Sequence, residues 1–193
     1  MNTLKDEKRS LDVKAKKLRK EGYVTGNVYG REMKNSIPVK MLRTDVDRLL
    51  KTDNKGSQII LDVDGTPYDV LIKEVSFNPV AGRMEEIGFQ ALVSNEKVHA
   101  TAEIIPLNHE KIATGVFQLN LSEISYRAYP SALVDRVKVD VGRMKVGDVL
   151  KVKDLDIASN PEIELKTDRE AIVATVTAVH NVLPDDTAEE TAE

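Results

Sequence analysis

The stretch from Gln58 to Val75 leaves the chain the least freedom. Gln58-Ile-Ile-Leu-Asp-Val63 is an apolar, β-branched run, and Pro67-Tyr-Asp-Val-Leu-Ile-Lys-Glu-Val75 is another. Between them stands Asp64-Gly65, a pair that tolerates the left-handed backbone of a two-residue hairpin turn. An antiparallel hairpin follows. A hairpin alone is barely stable in water, so the flanking segments must supply more strands.

They do. Residues 24–30 and 37–42 read as strands, with Pro38 expected at an edge because it cannot donate to a ladder. Lys14-Ala-Lys-Lys-Leu-Arg-Lys-Glu-Gly22 reads as a short helix stopped by Gly22. Residues 44–51 form a second helix, with Thr44 as the expected N-cap and Val46, Leu49 and Leu50 as its apolar stripe. Ser76-Phe-Asn-Pro79 is expected to break the chain before a last strand at 83–92. Five or six strands and two short helices with this order are most economically buried as a small, partly closed barrel.

Ser94-Asn-Glu is a polar break, and beyond it strands dominate: 98–107, 116–124, 137–141, 149–152, 163–165 and 171–179. The chain therefore reads as mainly β with short helices. Its expected domains are a barrel at residues 1–93, an all-β sandwich or open barrel at 94–183, and an acidic tail at 184–193 that carries five acids and no base and should be disordered.

Most enzyme classes find nothing to work with. Cys is absent, which removes thiolate metal sites and Cys nucleophiles. His99, His109 and His180 lack metal-ligand spacing, and neither a Walker loop nor a G-x-S-x-G elbow occurs. No catalytic residue, metal or cofactor is nominated. The N-terminus has no apolar core of a signal peptide and no run is long enough to span a bilayer, so a cytoplasmic protein without a membrane partner is expected.

The net charge of -4 hides an asymmetry. Residues 1–93 carry 17 basic and 14 acidic side chains, and residues 94–193 carry 11 and 18. Within residues 1–55 the count is 15 against 8. Lys14, Lys16, Lys17, Arg19 and Lys20 occupy two turns of one short helix, with Lys8 and Arg9 just before it. Such a cluster neutralises phosphates, and the counterions released drive binding to a nucleic acid. Double-stranded RNA is met largely through phosphates and 2′-hydroxyls of its shallow minor groove, a task that suits Lys, Arg and a Tyr hydroxyl. The absence of Trp and the presence of only 3 Phe argue against a broad base-stacking platform.

Taken in order, several segments resemble one family. Glu7-x-Arg9 and Lys16-Lys-Leu-Arg-Lys-Glu-Gly-Tyr-Val-Thr-Gly-Asn-Val-Tyr-Gly30 are similar to its opening R-R-L-R-x-x-G and V-P-x-x-x-Y-G. Leu61-Asp-Val-Asp-Gly65 with Val70-Leu-Ile-Lys-Glu-Val75 resembles its D-G-x-x-x-x-V-x-I-K-D-V, and Asn78-Pro79 and Ile87-Gly-Phe-Gln90 follow in register. Val139-Asp-Val141, the run from Val146 to Leu155, and Val173-Ala-Thr-Val176 are similar to its longer members. The family is the bacterial large-subunit ribosomal protein that binds 5S ribosomal RNA, in its long general-stress form, CTC. The resemblance covers residues 4 to about 180.

That resemblance implies an N-terminal six-stranded β-barrel gripping 5S rRNA and a C-terminal all-β domain near neighbouring ribosomal proteins, in a protein that is a monomer off the 50S particle. Arg9, Lys16, Lys17, Arg19 and Tyr29 stand where the family faces RNA. Lys14, Lys20 and Asn78 complete the candidate RNA-binding set. Departures stand beside these matches. Thr25 replaces a family Pro, Asn78 a His, and Glu86 and Gly88 stand where the family has His and Asp. A Glu about 4 Å from a phosphate is repulsive by ~1 kcal/mol when solvated. These changes, with the acidic second half, define an alternative: a divergent, non-ribosomal paralogue that binds a protein.

Overall fold

The computed structural model describes residues 2–112 and 115–178. His180 and the acidic stretch from Pro184 onward lie outside them. Strands β1 (Thr3–Lys8), β2 (Tyr23–Tyr29), β3 (Ile37–Leu42), β4 (Gln58–Val63), β5 (Thr66–Asn78) and β6 (Arg83–Ala91) form a closed barrel in the order β1-β3-β2-β6-β5-β4. Two parallel pairs close the antiparallel remainder: Leu4 opposite Leu61 on β1/β4, and Asn27 opposite Gly88 on β2/β6. Alternation fills the interior with Val24, Val28, Val39, Met41, Ile59, Leu61, Ile87 and Phe89. Helices α1 (Ala15–Lys20) and α2 (Arg43–Thr52) lie outside, burying Leu18 from the first and Val46 and Leu49 from the second.

The hairpin turn forms as its residues require, with Asp64 at φ 51° and Gly65 at φ 85°. Gly22, at φ 89°, terminates α1. Three local expectations fail. Pro38 is not on an edge, since a closed barrel has none. It is tolerated because the β1 ladder stops at Lys8 opposite Val39, and Arg9 N–H donates to the Pro38 carbonyl at 2.9 Å. Thr44 is not an N-cap: α2 begins one residue earlier, and Gly22 O accepts the Arg43 N–H at 3.0 Å. The 76–79 segment does not end the strand. β5 runs to Asn78 by absorbing irregularities between Ile72 and Glu74 and between Ser76 and Phe77.

The second half holds two sheets around a shared core. One has the order β10 (Arg136–Asp140), β7 (Val98–Leu107), β9 (Glu123–Ala128), β12 (Glu164–Leu165). The other is β11 (Val149–Lys151), β13 (Ile172–Thr177), β8 (Val116–Leu119). Ala102, Ile124, Tyr126, Val152, Val173 and Ala174 meet between them. The single strand expected over 116–124 is two, because Asn120 and Leu121 both turn their N–H groups to the Val173 carbonyl. Helix α3 (Asp156–Ser159) is one turn that sequence reading missed. Tyr126, fully buried, donates from its hydroxyl to Val134 O at 2.7 Å and accepts from Val134 N–H at 2.8 Å.

The halves meet at the loop after α2. Gly56, at φ 93°, lies so close to Thr101 that a Cβ would stand 1.9 Å from its carbonyl oxygen. Ser57 Oγ donates to Asp135 at 3.1 Å, Lys55 pairs with Glu123 at 2.7 Å, and Arg136 donates to Thr52 O at 2.9 Å. Leu71 of β5 is buried in the second core rather than the first.

Candidate nucleic-acid interface

Helix α1 owes its orientation to one guanidinium. Leu18 plugs its inner side, while Lys14, Lys16, Lys17 and Lys20 are exposed. Arg19 turns back onto the barrel: its Nε donates to Glu85 O at 3.1 Å, Nη2 reaches Thr25 Oγ1 at 3.5 Å, and Nη1 stands 3.8 Å from the Glu85 carboxylate. Thr25, buried under the helix, also donates to Glu85 O, at 3.2 Å. Thr25 at the place of the family Pro thus has a definite task, supplying a hydroxyl that bridges helix and strand.

Glu85 is the hub of this arrangement. Asn78 Nδ2 donates to its carboxylate at 3.0 Å, and Arg83 stands 3.9 Å away. The other end of the Asn78 amide accepts the Ala81 N–H at 3.0 Å. Arg19 and Asn78 are therefore engaged within the barrel, and the exposed charge comes from the lysines. Among the described residues Lys14, Lys16 and Lys20 make no ion pair, and Lys17 reaches Glu21 only at 3.9 Å with both side chains well exposed, a weak contact. Arg9 precedes them and braces the turn into α1, donating to Val13 O at 2.9 Å.

Tyr29 points outward from the far end of β2 and is 37% exposed. Burial, and then the charge of Glu74, push its hydroxyl above the usual tyrosine range. The β2/β6 register sets Thr25 opposite Glu86 and Asn27 opposite Gly88, so Glu86 lies on the same outer surface as Tyr29, exposed and not covered by α1. Asn27, Tyr29, Glu74, Ser76, Glu86 and Gly88 line a shallow depression there. A side chain at Gly88 would meet only ordinary contacts, the nearest being Glu74 Cβ at 3.5 Å. The outer face thus has a cationic end at α1 and an anionic middle. No group of three or more metal-ligating side chains occurs among the described residues, and no helix there is long and apolar enough to cross a membrane.

Known proteins share this arrangement of halves. The Ribosomal L25p family matches residues 4–89, and the C-terminal domain of ribosomal protein TL5 matches residues 97–180. A large ribosomal subunit protein bL25 of Carboxydothermus hydrogenoformans is 31% identical over 192 residues, covering 93% of each chain. The chain belongs to the bL25 family. Further bL25 relatives are those of Caldanaerobacter subterraneus subsp. tengcongensis, 28% identical over 93% of this chain and 87% of the relative, and of Geobacillus thermodenitrificans, 28% over 89% and 80%. Membership in a family of large-subunit ribosomal proteins makes this a structural protein and not an enzyme.

Two cations of this bL25-family barrel escaped the sequence reading. Lys40, opposite Thr25 on β3, pairs with Glu7 at 2.7 Å and sits 5.1 Å from the Tyr23 ring centre. Its ammonium is held above the usual lysine range, chiefly by the Glu7 hydrogen bond. Arg83 reaches the α1 end only through the β5–β6 hairpin. The alternation of Ile37, Val39 and Met41 already turns Lys40 outward, but the register that brings it beside Thr25 is not local information.

Proposed function

We propose that this bL25-family chain is built into the large ribosomal subunit of a bacterial cytoplasm, where its first half, residues 1–93, binds 5S rRNA. The carrying observation is the exposed lysine cluster of α1, fixed on the barrel by Arg19, Thr25 and Glu85. Rigid attachment lets several ammonium groups meet phosphates without ordering a loose segment at the moment of binding. Glu74 and Glu86 cannot contact phosphate favourably, so affinity comes from the α1 end, with Arg9 and Lys14 beside it and Tyr29 offering a hydroxyl to the sugar edge. The more acidic second half, residues 94–183, faces away from the RNA toward neighbouring ribosomal proteins, and the match of both halves to ribosomal domains supports a protein of the CTC general-stress type.

The test is filter binding of the full chain to 5S rRNA across a salt series. Submicromolar binding with a steep negative salt slope supports the reading. Lys16→Ala with Lys17→Ala should weaken binding and reduce the slope by about two counterions' worth. Absent or salt-insensitive binding refutes it. Co-sedimentation of the protein with 50S particles tests its place in the subunit, and its abundance before and after heat or salt shock tests the stress assignment.

A further inference from the structure

The second half is acidic in sum, yet one face of its larger sheet carries the opposite sign. The register puts His99 of β7 opposite Arg127 of β9, and Arg127 opposite Glu164 of β12. This row lies on the outer face, because the flanking Val98, Ala100, Tyr126 and Ala128 fill the core. Three lysines gather around it. Lys73 reaches across from β5 and donates to His99 O at 2.7 Å. Lys166, just past β12, pairs with Glu164 at 2.6 Å. Lys97, just before β7, stands 5.5 Å from the ring centre of Tyr129, which is 41% exposed just past β9.

The acid of the row is already neutralised. The hydrogen bond and charge of Lys166, then the charges of Arg127 and Lys97, hold the Glu164 carboxyl below the usual range. The surrounding acids face other partners. Glu103 and Glu123, further along β7 and β9, take Asn54 and Lys55, and Glu96 takes Arg31 at 2.6 Å. Glu74, beside Lys73 in sequence, lines the depression on the barrel. Lys97 and Arg127 are in no ion pair among the described residues, and the Arg127 Nε is buried without a hydrogen-bond partner. A buried cationic nitrogen without compensation is unfavourable, and an anion seated beside the guanidinium offsets this. His99 senses the same sign: burial first, then Arg127, Lys73 and Lys166, hold its imidazole below the usual histidine range.

We propose that this face is a second RNA contact, in which Arg127 and Lys97 take phosphates of one strand and Tyr129 packs on the ribose between them. A phosphodiester strand offers both closely spaced anions and sugars to cover an exposed ring, whereas an acidic peptide offers the anions alone. The strand bound here is separate from the one that α1 meets, so the inference goes beyond the 5S rRNA reading and stands without it. The acidic remainder of the second half still turns away from RNA.

The experiment is filter binding of the full chain to a paired RNA duplex across a salt series. It compares the parent, Lys16→Ala/Lys17→Ala, Lys97→Ala/Arg127→Gln, and a chain with both pairs changed. The chain with both pairs changed should bind about tenfold more weakly than Lys16→Ala/Lys17→Ala, with a salt slope lower by about two. Arg127→Lys in place of Arg127→Gln should restore most of the slope. Thermal melts check folding; if Arg127→Gln does not fold, Lys97→Ala alone and the next measurement carry the test. An NMR titration of His99 reads the site directly. Added duplex should raise the His99 pKa toward its ordinary value, because phosphates offset the neighbouring cations, while His109 should not move. If Lys97→Ala/Arg127→Gln weakens binding and Lys16→Ala/Lys17→Ala does not, this inference stands and the α1 reading falls. If Lys97→Ala/Arg127→Gln binds like the parent and His99 does not respond, the inference falls and the α1 reading is untouched. If a polyglutamate peptide moves His99 and the duplex does not, the face is a protein contact and the inference falls.

Discussion

Asp6→Asn should remove the pH dependence of stability that arises at the barrel seam. The Asp6 side chain is only 6% exposed on β1, and neither carboxylate oxygen has a hydrogen-bond partner. Burial, and then the charge of Asp62, raise its pKa from 3.8 to about 8. The folded protein therefore keeps a proton that the unfolded chain releases near pH 4. Between those limits the native state binds more protons than the unfolded state, so stability falls as pH rises and levels off above about 8. Each pH unit in that window costs about 1.4 kcal/mol, which sets a ceiling of about 5 kcal/mol at pH 8. Asn has the shape of the protonated acid and cannot ionise. The two proteins should have similar stability at pH 4–5, and the variant should gain by about 1 kcal/mol per unit toward pH 8. Urea midpoints at four pH values between 5 and 8 measure this directly. A gap between the two proteins that stays constant over that range would falsify the reasoning. Asp62→Asn should move the levelling-off point to lower pH, because it removes the second cause.

Gly56→Ala should lower stability by about 3 kcal/mol, read in a thermal melt, because its Cβ has no room beside the Thr101 carbonyl and the backbone holds a positive φ. Tyr126→Phe should cost about 2 kcal/mol in urea unfolding, since it removes the hydroxyl that serves both the N–H and the carbonyl of the partly buried Val134. Arg19→Ala should cost about 1–2 kcal/mol by the same measurement, through the loss of its bonds to Glu85, whereas Lys16→Ala should change stability by less than about 0.5 kcal/mol. Equal effects of the last two would mean that Arg19 is a surface charge like its neighbours.

What could be read from the sequence was local or periodic. The Asp64-Gly65 turn, the stop at Gly22 and the inward stripe of Val46 and Leu49 on α2 follow from backbone preferences and helical periodicity, and the structure reproduces them. The failures came where a distant partner intervened. Thr44 loses its capping role because Gly22 O takes the Arg43 N–H. Glu85 and Glu86 are neighbours in sequence, but strand alternation splits them, one to the Arg19 hub and the other to the open face. Asn78 belongs to the candidate RNA-binding set, and the structure adds that both ends of its amide are used by its own hairpin. Asp6 gives no signal at all in sequence, because a Lys-Asp-Glu-Lys run looks exposed until β1 is slotted between β3 and β4.

The parallel closures also set an order of events during synthesis. Helix α1 leaves the ribosome that makes it well before its anchor, because Glu85 lies 66 residues downstream of Arg19. Strand β1 has most of its partners on β4, which also emerges much later. Loop closure over such separations is slow compared with local helix or hairpin formation. A growing chain therefore carries its lysine cluster unanchored until β6 has been made, so the cationic segment becomes a shaped surface only when the barrel is nearly whole. Truncated chains ending before residue 85 would keep the positive charge without the geometry. They should attach to RNA indiscriminately, and discrimination would arrive with the sixth strand.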